Sequence, residues 1–89
     1  GRMKEITATE TIREQLGSFM VQKMEEANLW TQRNDEDALR VAQSAQLGME
    51  KALTILGIPV RQAKSWPGGQ HTYVEIGGKS FKVQTFEDE

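Results

Sequence analysis

The sequence contains no cysteine, which excludes several kinds of small protein at once. Without thiols a chain has no disulfide framework, no cysteine-ligated zinc or iron–sulfur site and no thiol nucleophile. A chain of 89 residues must then fold around a modest hydrophobic core. Because cysteine is absent, we also expect a reducing compartment, and the sequence predicts a cytoplasmic protein.

Proline, aromatic residues and long hydrophobic runs are also scarce or absent. The chain has 2 prolines and 7% aromatic residues, with an ordinary balance of 37% hydrophobic and 27% charged residues. No apolar stretch approaches the roughly 20 residues of a transmembrane helix, so we predict no membrane partner. A net charge of -2 gives no overall attraction for nucleic acid or anionic lipid. These values predict one small domain over residues 1–89.

Both ends of the sequence are expected to lie outside the folded unit. Gly1 and Arg2 precede Met3 and resemble the remnant of a cleaved tag. The residues that follow lack the apolar stretch of a secretory signal, so we expect no export by that route. Residues 87–89 form an acidic tail that a core cannot use, and we expect it to be disordered.

Helical periodicity covers the first part of the chain and predicts a helical hairpin over residues 7–57. Apolar residues recur at three- and four-residue steps as far as Trp30. Two successive Thr-x-x-Glu capping boxes, which begin at Thr7 and Thr11, place the start of this helix between residues 7 and 11. Asn34 is the expected N-cap of the second helix, which should end before Gly57. Because the link between the helices is short, they are expected to be antiparallel.

The two helices are expected to meet along a seam in which large residues of the first face small residues of the second. The predicted seam consists of Ile12, Leu16, Phe19, Met20, Met24 and Ala27 on the first helix and Ala38, Val41, Ala42, Ala45, Gly48, Met49, Ala52 and Leu56 on the second. Gly17 falls opposite Gly48. Since a glycine inside a helix costs about 1 kcal/mol against alanine, we predict a close backbone contact between the two. The alternative is that both are neutral surface positions.

Beyond Pro59 the sequence period falls to two residues, which indicates strands. The first strand is expected over residues 58–64, with Arg61 on its outward face. Gly77-Gly78 predicts a two-residue type I′ turn, because both central positions of that turn need a positive φ. The fold class is therefore α+β, in which a helical hairpin precedes a three-stranded antiparallel meander over residues 58–86, in the order α-α-β-β-β.

The hairpin around this turn has one apolar and one polar face. Counting outward from the turn pairs Val74 with Phe81 on the apolar face, which we expect to pack against the helices. The same register pairs Tyr73 with Lys82 on the polar face, which His71 shares. A register slip of one residue would exchange the two faces.

No residue pattern indicates catalysis, a metal or a cofactor. The segment Gly78-Lys79-Ser80 lacks the upstream glycine and the following helix of a phosphate-binding loop. His71 is the only histidine and has no metal-ligand partner at helical spacing. The acidic run 35–37 lacks the ligand spacing of a calcium loop. The sequence therefore predicts that the protein is not an enzyme.

Two groups of large or charged residues at the edges of the predicted fold are candidates for binding. Two tryptophans are large enough to dominate a core edge or an interface. Four residues share the outward sheet face, where an aromatic ring flanked by cations could hold single-stranded nucleic acid by stacking and phosphate attraction. A solvated polar face is the alternative interpretation of this second group. The candidates are Trp30, Arg61, Trp66, His71, Tyr73 and Lys82.

The sequence favours a small non-catalytic protein-protein interaction module, acting as a subunit, adaptor or inhibitor for an unidentified protein partner. As a small, self-contained and acidic chain, it is similar to small accessory proteins of bacterial phages and mobile elements. Self-association through Leu39 and Leu47 of the second helix is a further expectation. Weak binding of single-stranded nucleic acid through the sheet face is the alternative function.

Overall fold

The computed structural model describes residues 2–62 and 69–87, and their side chains from residue 11 onward. Two helices precede three strands: α1 (Arg2–Gln32), α2 (Glu36–Ile55), β1 (Val60–Gln62), β2 (Tyr73–Ile76) and β3 (Lys79–Lys82). The strands form one antiparallel sheet in the order β1-β2-β3. The predicted α-α-β-β-β fold is confirmed. Trp66, most of the connection after β1 and the last two residues of the acidic tail lie outside the described residues.

Helix α1 begins at Arg2, earlier than the start predicted between residues 7 and 11. The threonines of both capping boxes therefore lie inside the helix. No glycine or proline occurs between Arg2 and Gly17, so nothing in this segment opposes helix formation. A capping box is a local signal, and here the helix continues through it.

The link between the helices uses Asn34 and Asp35 differently from the prediction. Asn34 takes the left-handed conformation with φ of 59°, and the Asp35 N–H donates to the Trp30 carbonyl at 3.0 Å, as in a Schellman helix end. Asp35 also caps α2, because its carboxylate accepts from the Ala38 N–H at 3.1 Å. The prediction that Asn34 is the N-cap is wrong, since asparagine tolerates the left-handed region and leaves capping to its neighbour.

Helix α2 ends as predicted, with Gly57 in the left-handed conformation at φ of 77°. The Gly57 N–H donates to the Thr54 carbonyl at 3.0 Å, and the Ile58 N–H donates to the Leu53 carbonyl at 2.9 Å. This reversal brings Ile58 against the core that contains Leu53. The chain therefore passes from α2 into β1 through a very short connection.

The core lies between the helical hairpin and the inward face of the sheet. Its fully buried apolar residues come from α1, α2, β2 and the segment after β3. They are Met20, Met24, Leu53, Val74, Ile76 and Val83, with Leu16, Val21, Met49, Ile58, Val60 and Phe81 packed around them. Met20 and Met24, which the sequence places on the apolar stripe of α1, are completely buried in this core.

The β2–β3 hairpin has the predicted register. Tyr73 pairs with Lys82 and Val74 pairs with Phe81 across a turn whose two glycines have φ of 60° and 83°. Val74 is buried and Phe81 packs against the core, whereas Tyr73 and Lys82 are exposed. The predicted inward and outward faces are therefore both confirmed.

Helix α2 buries a face that overlaps the predicted seam only in part. Its buried residues are Ala42, Gln46 and Leu53. Three residues that were predicted to face α1 are exposed instead: Val41, Gly48 and Leu56. Small and apolar residues occur on both sides of α2, so periodicity alone leaves its rotation open. Contact with the sheet selects the face that carries Leu53.

Gly17 packs against the sheet and not against α2. A Cβ atom at Gly17 would lie 3.4 Å from the ring of Phe81 and 3.5 Å from Ile76. A Cβ atom at Gly48 would have no atom within 4 Å. The predicted contact between Gly17 and Gly48 is therefore wrong. Gly17 makes room for an aromatic ring of β3, and Gly48 lies open on the surface of α2.

We expect Gly17→Leu to lower the free energy of unfolding by about 1 to 3 kcal/mol, because a branched side chain would overlap the Phe81 ring. Ser18→Leu is the matched control, since Ser18 is the next residue and is exposed. Its effect should stay within about 0.5 kcal/mol. Urea denaturation followed by circular dichroism measures both values. Equal losses in the two variants would contradict the packing of Gly17 against the sheet.

Candidate functional site

The buried amide of Asn28 joins α1 to the sheet. Its Nδ2 donates to the carbonyls of His71 at 2.8 Å and Gln84 at 2.9 Å, and its Oδ1 accepts from the His71 N–H at 3.0 Å. One residue closer to the β2–β3 turn, the Val83 N–H still donates to the Thr72 carbonyl at 3.0 Å. Asn28 therefore takes over the hydrogen bonding where the two strands separate. With 2% of its surface exposed, it makes these bonds in a site shielded from water.

Two more side chains extend this junction toward the end of the chain. The Glu25 carboxylate accepts from the Gln84 N–H at 2.8 Å. The Gln70 amide pairs with the backbone of Phe86, accepting from its N–H at 2.7 Å and donating to its carbonyl. Side chains thus replace backbone partners beyond the ends of β2 and β3. This arrangement fixes the chain at the end of the sheet where His71 lies.

Asn28 and Gln46 are the polar core residues that the sequence analysis missed. Gln46 Nε2 donates to Gln62 Oε1 at 3.4 Å, and Gln62 Nε2 donates to the Glu50 carboxylate at 3.0 Å. This chain of contacts links α2 to β1 as Asn28 links α1 to the later strands. The signal that could have found both residues is a polar amide at a position where the helical period predicts an apolar residue. Such an amide requires a hydrogen-bond partner when it is buried.

Three candidate residues share the outward face of the sheet, one on each strand. Arg61, Tyr73 and Lys82 are exposed, and Tyr73 lies directly opposite Lys82 with 52% of its surface accessible. Arg61 lies opposite Glu75. Because cross-strand partners have Cβ atoms about 4.5 to 5.5 Å apart, the tyrosine has a cation as its neighbour and the arginine has a carboxylate.

This outward face carries less positive charge than the sequence of the meander suggests. The Lys79 ammonium lies 5.4 Å from the centroid of the Phe81 ring, on the side of β3 that faces the helices. Lys64 lies outside the described residues. Within the described part of the face, two cations, Arg61 and Lys82, stand against one carboxylate. The face is therefore a polar surface with a single exposed aromatic ring.

A second surface lies on the helical hairpin, away from the sheet. Ile12 and Phe19 of α1 are 47% and 45% exposed, and Val41 and Ile55 of α2 are 72% and 85% exposed. Ile12 and Phe19 are seven positions apart on α1, and Val41 and Ile55 each lie seven positions from Gly48 on α2. Seven residues make almost two full turns, so the residues named on each helix share one side of it. We call this surface the outer helical face and define it by Ile12, Phe19, Trp30, Val41, Gly48 and Ile55.

A groove of about 370 Å³ joins the two helices on the outer helical face. Its lining residues are Lys23, Glu26, Trp30, Ala38, Val41, Ala42 and Ala45. The Lys23 ammonium lies 2.8 Å from the Glu26 carboxylate and 5.2 Å from the centroid of the Phe19 ring. The Arg33 guanidinium lies 5.8 Å from the ring of Trp30. The charges at the groove thus contact partners within the chain, and its floor is made of small apolar residues.

The structure separates the six candidates instead of gathering them. Arg61, Tyr73 and Lys82 lie on the sheet, whereas Trp30 lies on the outer helical face. His71 is half-buried, and its backbone belongs to the Asn28 junction. Trp66 is outside the described residues. Helical periodicity predicted Ile12, Phe19, Val41 and Gly48 to lie inside the seam, and their exposure corrects that prediction. The outer helical face was therefore not predicted.

The leucines named for self-association do not belong to this face. Leu39 is half-buried, and Leu47 is 56% exposed. Leu47 immediately precedes Gly48, which turns it about 100° around the helix from the Gly48 side. It lies instead with Lys51 and Thr54 on a neighbouring side of α2, which meets the outer helical face at Ile55.

Comparisons add no relative to these observations. Neither a known protein family, nor a curated protein, nor a solved structure matches the chain. Within residues 2–62 and 69–87, no cluster of three or more His, Cys, Asp and Glu side chains is placed to hold a metal ion. In that same part of the chain, neither helix has the length and apolar character needed to cross a membrane.

We expect Asn28→Ala to destabilise the protein by about 2 to 4 kcal/mol, because it leaves three partly buried backbone groups without this partner. Gln22→Ala, on an exposed position of the same helix, should change stability by no more than about 0.5 kcal/mol. Chemical denaturation of both variants measures the difference. If Asn28→Ala unfolds at the same denaturant concentration as Gln22→Ala, the junction does not hold the sheet.

Proposed function

We propose that the chain is a non-catalytic protein-binding module that holds its partner on the outer helical face. The observation that carries this proposal is the exposure of Val41 and Ile55, which exceeds two thirds of each side chain. Large apolar side chains gathered on one face of a small protein are typical of an interaction surface. The core between the helices and the sheet contains neither residue.

The composition of the face supports a protein partner. An aromatic residue, Trp30, lines the groove beside small apolar residues, and charged side chains such as Lys23 and Glu26 lie at its rim. Protein interfaces have this anatomy, with an apolar centre containing aromatic anchors and a polar periphery. A cytoplasmic subunit, adaptor or inhibitor would use such a face without catalysis.

The test of this proposal is capture of partners from native lysate by the wild-type chain and by Val41→Glu/Ile55→Glu. We expect the double variant to lose the captured proteins, because it would replace two exposed apolar side chains of the face with carboxylates. Its circular dichroism spectrum should match that of the wild type, since both positions are exposed.

Leu47→Glu is the matched control for this capture experiment, because it adds the same charge to an exposed position of α2 outside the face. Tyr73→Ala is the second control and alters the sheet face. Both controls should retain the captured proteins. Loss of capture in Tyr73→Ala, with retention in Val41→Glu/Ile55→Glu, would assign binding to the sheet and overturn the proposal.

One observation favours a second candidate function, weak binding of single-stranded nucleic acid. Tyr73 is half-exposed on an open sheet and lies opposite Lys82, which could combine base stacking with phosphate attraction. The small number of cations makes this the weaker candidate. Arg61 and Lys82 are the phosphate contacts that the described face offers.

Titration of a fluorescent single-stranded oligonucleotide separates the two functions. We expect negligible affinity at low salt if the chain is a protein-binding module. If the sheet does bind nucleic acid, two phosphate contacts would give a logarithmic salt slope no steeper than about -1.4. Tyr73→Ala would then remove about 1 to 3 kcal/mol of stacking. Micromolar binding at physiological salt that disappears in Tyr73→Ala would replace the first proposal with the second.

A further inference from the structure

Gly48 lies in the middle of α2, where a glycine costs about 1 kcal/mol of helix stability against alanine. Nothing within the described part of the chain explains its presence, because the position of its missing Cβ has no atom within 4 Å. Gly57, Gly77 and Gly78 are needed for their positive φ, and Gly17 for contact with Phe81. A helical glycine that lies open permits the close approach of another backbone.

The residues around Gly48 are arranged symmetrically along the helix. Val41 and Ile55 lie seven positions before and after it, and the small residues Ser44 and Ala52 lie four positions before and after it. If two copies of α2 cross in antiparallel orientation at Gly48, Val41 of each copy meets Ile55 of the other. A two-fold interface requires this reciprocity, because every contact between two residues then occurs twice, once in each direction.

We propose that the partner on the outer helical face is a second copy of this chain, bound in an antiparallel two-fold dimer with α2 against α2 at Gly48. The inference rests on the proposed function and identifies its partner. Together the two helical hairpins would stack as two layers of two helices, as in a four-helix bundle. One sheet would lie on each outer side of this stack. An unrelated partner would not require a face that is symmetric about one residue.

The size and charge of the face suit a self-association. A two-helix surface about 30 Å long and about 20 Å wide would bury about 600 Å² per chain, or about 1,200 Å² in total, which reaches the lower limit of stable interfaces. Lys23 and Glu26, the charged residues of the groove, are paired with each other at 2.8 Å. Within the groove these two charges cancel, so the groove presents no net charge that would repel an identical groove.

Sedimentation equilibrium of the full chain, from low micromolar to millimolar concentration, tests the proposal. We expect a monomer–dimer equilibrium in the wild type. Gly48→Leu and Val41→Glu should each raise the dimer dissociation constant by about 100-fold or more. The leucine would fill the crossing point, and the glutamate would place a charge against Ile55 of the other copy. Both variants should fold, since Gly48 has open space around it and Val41 is exposed.

Leu47→Glu provides the matched control and should leave the dissociation constant unchanged. Oxidation of single-cysteine variants gives an independent measurement in this cysteine-free chain. Gly48→Cys should form a disulfide-linked dimer, because a disulfide requires Cα atoms within about 7 Å, and Leu47→Cys should not.

A wild-type chain that stays monomeric at every concentration would overturn the inference. A dimer that Leu47→Glu dissociates and Gly48→Leu does not would overturn it as well, since it would place the interface elsewhere. The proposed function has a separate test. If the chain is monomeric but lysate capture still depends on Val41 and Ile55, the outer helical face binds another protein and only the inference fails.

Discussion

The attachment of the sheet to the helices depends on one buried amide. The helical hairpin and the β2–β3 hairpin each form through contacts between residues close in sequence, but Asn28 bonds to backbone atoms 43 and 56 positions away. Its two donors and its oxygen satisfy backbone groups that neither hairpin can satisfy by itself. The apolar core brings the two hairpins together without specifying their alignment along α1. A hydrogen-bonded polar group in a fixed position supplies that alignment.

The two helical glycines show how the surroundings of a residue determine its role. At Gly17 an aromatic ring from β3 occupies the space that a side chain would take, so the helix lies close to the sheet. At Gly48 the same absence faces outward and leaves a shallow place among exposed apolar residues. One glycine therefore brings two layers of the protein together, whereas the other leaves a helix accessible on its far side. The helical layer thus has a face for the sheet and a second apolar face that no other described part of the chain covers.

Sequence patterns were sufficient where local geometry decides the structure. The Gly77-Gly78 turn, the left-handed Gly57 and the alternation of β2 and β3 each depend on a few neighbouring residues, and the structure confirms them. The rotation of α2 could not be predicted in this way, because both of its sides satisfy an apolar helical period. The same ambiguity concealed most of the outer helical face, whose residues were assigned to the seam. Asn28 was missed since its partners are brought to it only by the tertiary fold.

The edges of the small sheet limit how the molecule can associate. β1 has three residues, and β3 has four with a lysine at each end, Lys79 and Lys82. Short edge strands that carry lysine discourage the addition of strands from other molecules, which is the contact that begins fibrous aggregation. Contacts between sheet edges are therefore disfavoured, whereas the helices expose side chains and not open backbone groups. This favours closed complexes of defined size over open-ended growth along the sheet.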